Sequence, residues 1–199
     1  MPAEALDRLR RALELPGDGT SDFDLNRMDP PRRDLRAAGV LVPLIEGERG
    51  LEVILTKRST RLRHHPGQVA FPGGRMDPED GTPIDAALRE AEEEIGLPRS
   101  LVDVIGTLPG HHTVTAYHMT PVIGHVTAPF EALAEEAEVA EIFRVPFGFV
   151  TDPGNFTVEG RHWQGRLRRY YTVPFGPYYI WGATARILRG LAERMARCD

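Results

Sequence analysis

The chain has 199 residues, 41% of them apolar and 27% charged, and carries a net charge of -5 from 24 basic and 29 acidic side chains. That size suits one globular domain with a sizeable core, and with a mean hydropathy of -0.30 no apolar run approaches the roughly 18 residues of a membrane span. The acidic balance lacks the broad basic field of a nucleic-acid binder, and the lone Cys198 can build neither an internal disulfide nor a zinc site.

The N-terminus, "MPAEALDRLRRALEL", is charged and amphipathic without the apolar core of a signal peptide, so a cytoplasmic location is expected. Leu6, Leu9 and Leu13 recur at helical spacing until "PGDGT" stops the helix, and residues 16–36 read as an extended arm. Residues 1–35 are thus expected to precede a globular body at 36–199 within a single domain. "AAGVLVPLI" (37–45) and "LEVILTKR" (51–58) are strands joined through "EGERG" as a hairpin, and "QVAF" (68–71) is a short strand ending at "PGG". Thr82 or Asp85 caps a helix that runs to Ile95 and stops at "GLP". "LVDVIGTL" and "YHMTPVIGHV" read as strands, "EALAEEAEVAEIF" as helix or loop finishing in strand, "NFTVEGRHWQGRLRRYYTV" as a hairpin, and "WGATARILRGLAERM" as a terminal helix. Strands and helices interleave with both hairpins and crossovers, which predicts an α/β layered fold with a mixed β-sheet.

The helix over 82–95 poses a chemical question. Glu90, Glu92, Glu93 and Glu94 fall within two turns, where like charges repel. Ile84, Leu88, Ala91 and Ile95 define its buried stripe, which turns Glu90, Glu93 and Glu94 to the opposite side and leaves Glu92 near the edge. Three carboxylates on one patch suit a hard divalent cation such as Mg²⁺, which would offset their repulsion. Arg89 reaches Glu93 one turn on. A solvated, salt-bridged helix face is the competing reading. The glycines of "FPGG" (71–74) weigh against it, because at Gly73 and Gly74 the backbone can approach a ligand that a side chain would obstruct.

Taken together, "GGRMDPEDGTPIDAALREAEEEIGL" resembles the Nudix box, G-x5-E-x7-R-E-U-x-E-E-x-G-U with U aliphatic. Arg89, Glu90, Ala91, Glu93, Glu94, Gly96 and Leu97 match its second half position by position. The first half departs: Gly74 precedes Arg89 by one residue more than the general spacing, and the expected first glutamate falls on Gly81. Asp80, six residues after Gly74, could partner Arg89 instead. Upstream, "ILTKRSTRLRHHPGQVAFPGG" (54–74) resembles the signature of one Nudix subfamily, the coenzyme A pyrophosphatases, and "IWGATARIL" (180–188) is similar to its C-terminal segment. The resemblance covers roughly residues 36–190 and is most specific over 54–97.

This resemblance implies a Nudix-type α/β/α sandwich and a Mg²⁺- or Mn²⁺-dependent hydrolase. Its substrate would be coenzyme A (CoA) or an acyl-CoA, cut at the diphosphate to 4'-phosphopantetheine and adenosine 3',5'-bisphosphate. Carried over by position, Glu90 and Glu94 are metal ligands, Glu93 is a further ligand or a water-activating carboxylate, and the Gly74 carbonyl is an additional ligand. Arg89 positions its acidic neighbours, and Glu141, in a run well after the box, is a candidate catalytic carboxylate alongside Glu138. Arg58 and Arg63 are candidates for binding a CoA phosphate, with Gln68 and Gly73 beside them; exposed strand-end arginines are the alternative. His111, His112 and His118 have no metal-ligand spacing, and core packing is expected for most of the tyrosines near 170–179 and for Trp181. ADP-ribose, NADH or another nucleoside diphosphate derivative is an alternative substrate, and a catalytically silent nucleotide-binding module an alternative function. The oligomeric state, monomer or homodimer, stays open at this point.

Overall fold

The computed structural model describes residues 2–26, 34–163 and 165–198, with the backbone alone at Trp163. The first helical pattern forms α1 (Pro2–Glu14), which buries Leu6, Leu9 and Ala12. In the arm that follows, β1 (Thr20–Ser21) pairs in parallel with residues 111–112. Residues 27–33 of the expected arm lie outside the described residues.

Two long strands carry the sheet. β2 (Arg36–Gly47) and β3 (Gly50–Arg58) pair antiparallel, with Gly47 opposite Gly50 across the turn at Glu48 and Arg49. Their cores are nearly continuous apolar runs because both faces are covered. Val40, Val42, Leu44, Val53 and Leu55 pack into one core; Leu41, Ile45 and Ile54 pack into a second on the other face. β4 (Val69–Ala70) folds back on β3, and β5 (Gly73–Arg75) lies antiparallel to Ala38–Val40 of β2. Between them Phe71 is buried, and the Leu41 N–H donates to the Pro72 carbonyl at 2.8 Å. This crossing holds the glycine pair against β2.

α2 (Pro83–Ile95) begins where the capping chemistry predicts. The Thr82 hydroxyl accepts the Asp85 N–H at 3.2 Å, Pro83 opens the first turn, and Gly96 closes the helix at φ 68°. Its docking surface is small: Ala86, Ala87 and Ala91 are buried, and a Cβ at Gly39 would lie 1.9 Å from the Pro83 carbonyl oxygen. Only a glycine in β2 lets the helix backbone come this close. Thr82→Ala is expected to cost about 1 kcal/mol, a fall of about 3 °C in thermal midpoint for a chain of this size, measurable by circular dichroism.

The chain continues through β6 (Val102–Thr107), β7 (His111–His112) and β8 (Tyr117–Val126); β8 runs parallel to β2 from Arg36 to Ile45. Residues 131–138 are irregular, and β9 (Val139–Pro146) then pairs antiparallel with β3. The short α3 (Phe147–Val150) leads into β10 (Thr157–Trp163) and β11 (Arg166–Thr172), a hairpin outside the main sheet, before α4 (Gly182–Met195). Among the described residues the main sheet has nine strands. α2 covers one face, while α1 and α4 cover the other, with Leu6 and Leu9 in the same core as Leu188 and Leu191. The residue patterns predict the layered α/β class with a mixed sheet, and the α/β/α sandwich is the one that the family resemblance implies. No helix among the described residues is long and apolar enough to cross a membrane.

Candidate active site

Periodicity groups Glu90, Glu93 and Glu94 on one outward patch, but the structure divides them. The Glu94 side chain is 5% exposed and Glu93 58%, with Glu90 between at 17%. The difference arises because β5 lies against α2 on this side, an environment that helical periodicity does not contain. Glu92 is exposed and paired with Arg99 at 2.9 Å.

Glu94 accepts the Gly73 N–H at 3.1 Å and stands 3.9 Å from the Arg58 guanidinium. Burial disfavours its ionised form and pushes the carboxyl up to about 8, against the pull of the Gly73 bond; nearby Glu90 adds to the rise. Glu90 is raised in the same direction, chiefly by burial, although Arg89 opposes it. Backbone geometry requires glycine at position 73, and a side chain at position 74 would displace Glu90. Gly73 has φ 149° and a Cβ there would lie 2.5 Å from the Gly39 carbonyl oxygen; one at Gly74 would lie 2.3 Å from a Glu90 carboxylate oxygen. The turn is thus shaped around these two glutamates.

Arg89 organises the surrounding acids. Its Nε and Nη2 grip Asp80 at 3.1 and 2.9 Å, Nη1 donates to Glu90 and Glu93 at 3.0 Å each, and Nη2 also donates to the Arg75 carbonyl at 3.2 Å. All five N–H donors of the guanidinium are engaged. The Asp80 bonds raise the Arg89 pKa further, and Arg89 in turn holds the Asp80 carboxyl below the ordinary range. Asp80 therefore takes the place that the shifted box spacing left open.

The remaining predicted residues are distributed around this centre. Arg58 adjoins it, and its Nε is buried without a hydrogen-bond partner among the described residues. An extra residue in β9, Ala140, breaks the register between Lys57 and Arg58; such bulges re-aim side chains. Arg63 is exposed in the loop after β3. Gln68 lines a cavity with Lys57 and bonds to His65. Glu141 accepts a hydrogen bond from the Tyr178 hydroxyl, whereas the charge of Glu138 reaches both Glu90 and Glu94. His111 is buried between Thr20 and Asp22, where it fastens the N-terminal arm.

Sequence reasoning did not find the cavity of about 450 Å³ lined by Lys57, Gln68, Arg161, Tyr178, Tyr179 and Trp181. Tyr171 and Tyr178 do pack against the core as expected, but Tyr179 is exposed and Trp181 half-buried. The aromatic run before α4 was the available signal; that it meets Lys57 and Arg161 follows only from the fold.

Among the described residues no group of three or more His, Cys, Asp or Glu side chains is arranged to hold a metal unaided. Mg²⁺ is commonly bound by one or two carboxylates together with water and substrate phosphate instead of an all-protein cage. Glu90 and Glu94 are two such oxygen donors, both desolvated, with Arg89 paired to Glu90 at 3.0 Å and Arg58 at 3.9 Å from Glu94.

The NUDIX domain family profile matches residues 35–157. The chain is 42% identical over 185 residues to the uncharacterised Nudix hydrolase NudL of Klebsiella pneumoniae, covering 92% of this chain and 95% of that one. It has the same identity and coverage with NudL of Escherichia coli K12. Among solved structures, the MutT protein of Methanosarcina mazei aligns with a TM-score of 0.52 at 19% identity, over 84% of this chain and 96% of that one. A MutT/nudix family protein of Enterococcus faecalis aligns with the same score at 15% identity, over 99% and 75%. These two speak for the fold alone. With the profile over most of the chain and relatives matched along nearly their whole length, the chain belongs to the Nudix hydrolase family.

Proposed function

We propose that this chain hydrolyses the diphosphate of coenzyme A or an acyl derivative, releasing 4'-phosphopantetheine and adenosine 3',5'-bisphosphate with Mg²⁺ or Mn²⁺ as cofactor. One observation carries the reading: the segment that resembles the CoA pyrophosphatase signature is the one that surrounds Glu94, through the Gly73 N–H at 3.1 Å and Arg58 at 3.9 Å. Nudix hydrolases generally use such divalent ions, and Glu90 and Glu94 would hold one here, with Glu93 and the Gly74 carbonyl as further donors. When bound, the ion supplies positive charge to the phosphoryl oxygens and lowers the pKa of water.

The protein's own groups account for the rest. The partly exposed guanidinium of Arg58, 3.9 Å from Glu94, gives a phosphate oxygen a charge-assisted bond that fixes the diphosphate beside the carboxylates. Glu93 is held through one oxygen by Arg89, while the other has no partner among the described residues and can accept a proton from the attacking water. That water adds to one phosphorus as the bridging oxygen departs with the other, so no covalent nucleophile is required. Arg63, on the adjoining loop, and Gln68 contribute to substrate binding. Glu141, bonded to Tyr178, braces the cavity wall, and Glu138 is the acid in this run whose charge acts on the pair.

Incubation with Mg²⁺ or Mn²⁺ against CoA, acetyl-CoA, ADP-ribose, NADH and a deoxynucleoside triphosphate tests the assignment. Adenosine 3',5'-bisphosphate should appear from CoA. Preferential cleavage of ADP-ribose or NADH would move the substrate, and turnover of none would favour a binding module.

A further inference from the structure

The cavity lined by Lys57 and Gln68 has a composition that the hydrolytic step does not explain. Its lining brings together Lys57, Arg161, Tyr179 and Trp181. The Arg161 guanidinium lies 4.6 Å from the centre of the Trp181 ring, and Tyr170 and Tyr179 flank that indole at 5.1 and 6.4 Å. Neither Lys57 nor Arg161 has a carboxylate at ion-pair distance among the described residues. Glu141, across from Lys57 in the sheet, is bonded by Tyr178, and Glu159, on the strand of Arg161, accepts from Tyr179 at 2.8 Å.

Two cations beside an aromatic wall match a ligand that is both flat and anionic: rings stack on aromatic side chains, and guanidinium and ammonium groups take phosphate. The volume, about 450 Å³, is that of a small-molecule site. The cavity also connects to the cleavage site through the backbone. Lys57 precedes Arg58, the Arg58 N–H donates to the Gln68 carbonyl at 2.9 Å, and the Gly67 N–H donates to the Arg58 carbonyl at 3.1 Å.

We propose that this cavity is the recognition subsite for a purine nucleoside bearing a phosphate on its ribose, with the base against Trp181 and Tyr179 and the ribose phosphate between Arg161 and Lys57. The assignment deepens the reading of the protein as a CoA diphosphatase and rests on it for the substrate. It assigns to Arg161 and Lys57 the discrimination between CoA and analogues lacking the ribose phosphate, and leaves bond cleavage to the carboxylates and Arg58.

Calorimetric titration of the full-length, metal-free protein separates the subsite from the reaction. Adenosine 3',5'-bisphosphate should bind about tenfold tighter than adenosine 5'-monophosphate. Arg161→Ala and Lys57→Ala should each remove most of that difference, Arg161→Lys should retain part of it, and Trp181→Leu should weaken both nucleotides alike. Equal binding of the two nucleotides by the unmodified protein, or undiminished discrimination in both alanine variants, would overturn the subsite. Unchanged thermal midpoints establish that the variants fold. In turnover, Arg161→Ala should raise KM for CoA about tenfold with kcat retained, and should leave KM for 3'-dephospho-CoA much less affected. If CoA is not cleaved but the bisphosphate still binds in an Arg161-dependent way, the substrate assignment fails and the subsite stands.

Discussion

Glu94→Gln is expected to lower kcat/KM for diphosphate hydrolysis by about 10³-fold or more, while making the metal-free protein more stable under alkaline conditions. Both effects follow from one environment. Glu94 is buried, its carboxyl is raised to about 8, and the Arg58 guanidinium stands 3.9 Å away. An unfolded chain ionises this group near 4.5. The folded protein therefore holds an extra proton between these values, and the stability it confers is complete below the lower value and lost as pH rises through the upper one. The penalty for ionising it in the fold is on the order of 5 kcal/mol. Glutamine keeps the shape and can still accept the Gly73 N–H, yet has no charge to desolvate. With a chelator present, the midpoint of the parent protein should fall between about pH 5 and about pH 9, and that of the variant should fall less. Mg²⁺ should restore the parent at high pH and leave the variant unchanged. A steeper decline in the variant would show that Glu94 is not the strained carboxylate.

Arg89→Met should be the most destabilising change on α2. Methionine retains much of the aliphatic stem but leaves Asp80, whose side chain is 5% exposed, and Glu90, at 17%, without their countercharge. Stranding a buried carboxylate costs several kcal/mol, and partial solvation at this rim brings the expected loss to about 3 kcal/mol. Glu93, more than half exposed, contributes little to that figure. Urea denaturation should show a lower midpoint at unchanged slope. Asp80→Asn should cost less, and the double variant should cost less than the sum, because Asp80 is the residue Arg89 grips through two nitrogens. Activity should fall with stability, since Arg89 orients Glu90 and Glu93 together. Full additivity would show that the two residues act separately.

The extent to which this site is legible without coordinates differs from residue to residue. Thr82 and Gly96 bound α2 through local chemistry, a hydroxyl at the first free N–H groups and a left-handed glycine at the end, so their positions can be read along the chain. Arg89 and Glu93 are one helical turn apart, and their contact is equally local. Asp80 is an intermediate case: spacing singles it out, but its grip on Arg89 depends on how the loop before α2 folds back. Glu90 and Glu94 look equivalent in sequence to Glu93, and become different only because β5 pairs with β2 and covers them. Trp181 and the neighbouring tyrosines read as core aromatics, and no local pattern connects them to Lys57 or Arg161.

What the sequence determined by itself was the three long helices and the longer strands, the layered α/β class and the chemistry of an acidic, cation-seeking helix beside a glycine turn. These depend on periodicity, capping and charge within a few residues of one another. What only the tertiary structure decided was which carboxylate is buried, which acid holds Arg89, and where Lys57 meets Arg161 and Trp181. Burial and ionisation respond to every atom nearby, and here those atoms come from β5, the loop at Asp80 and the distant β10–β11 hairpin, brought together by the sheet.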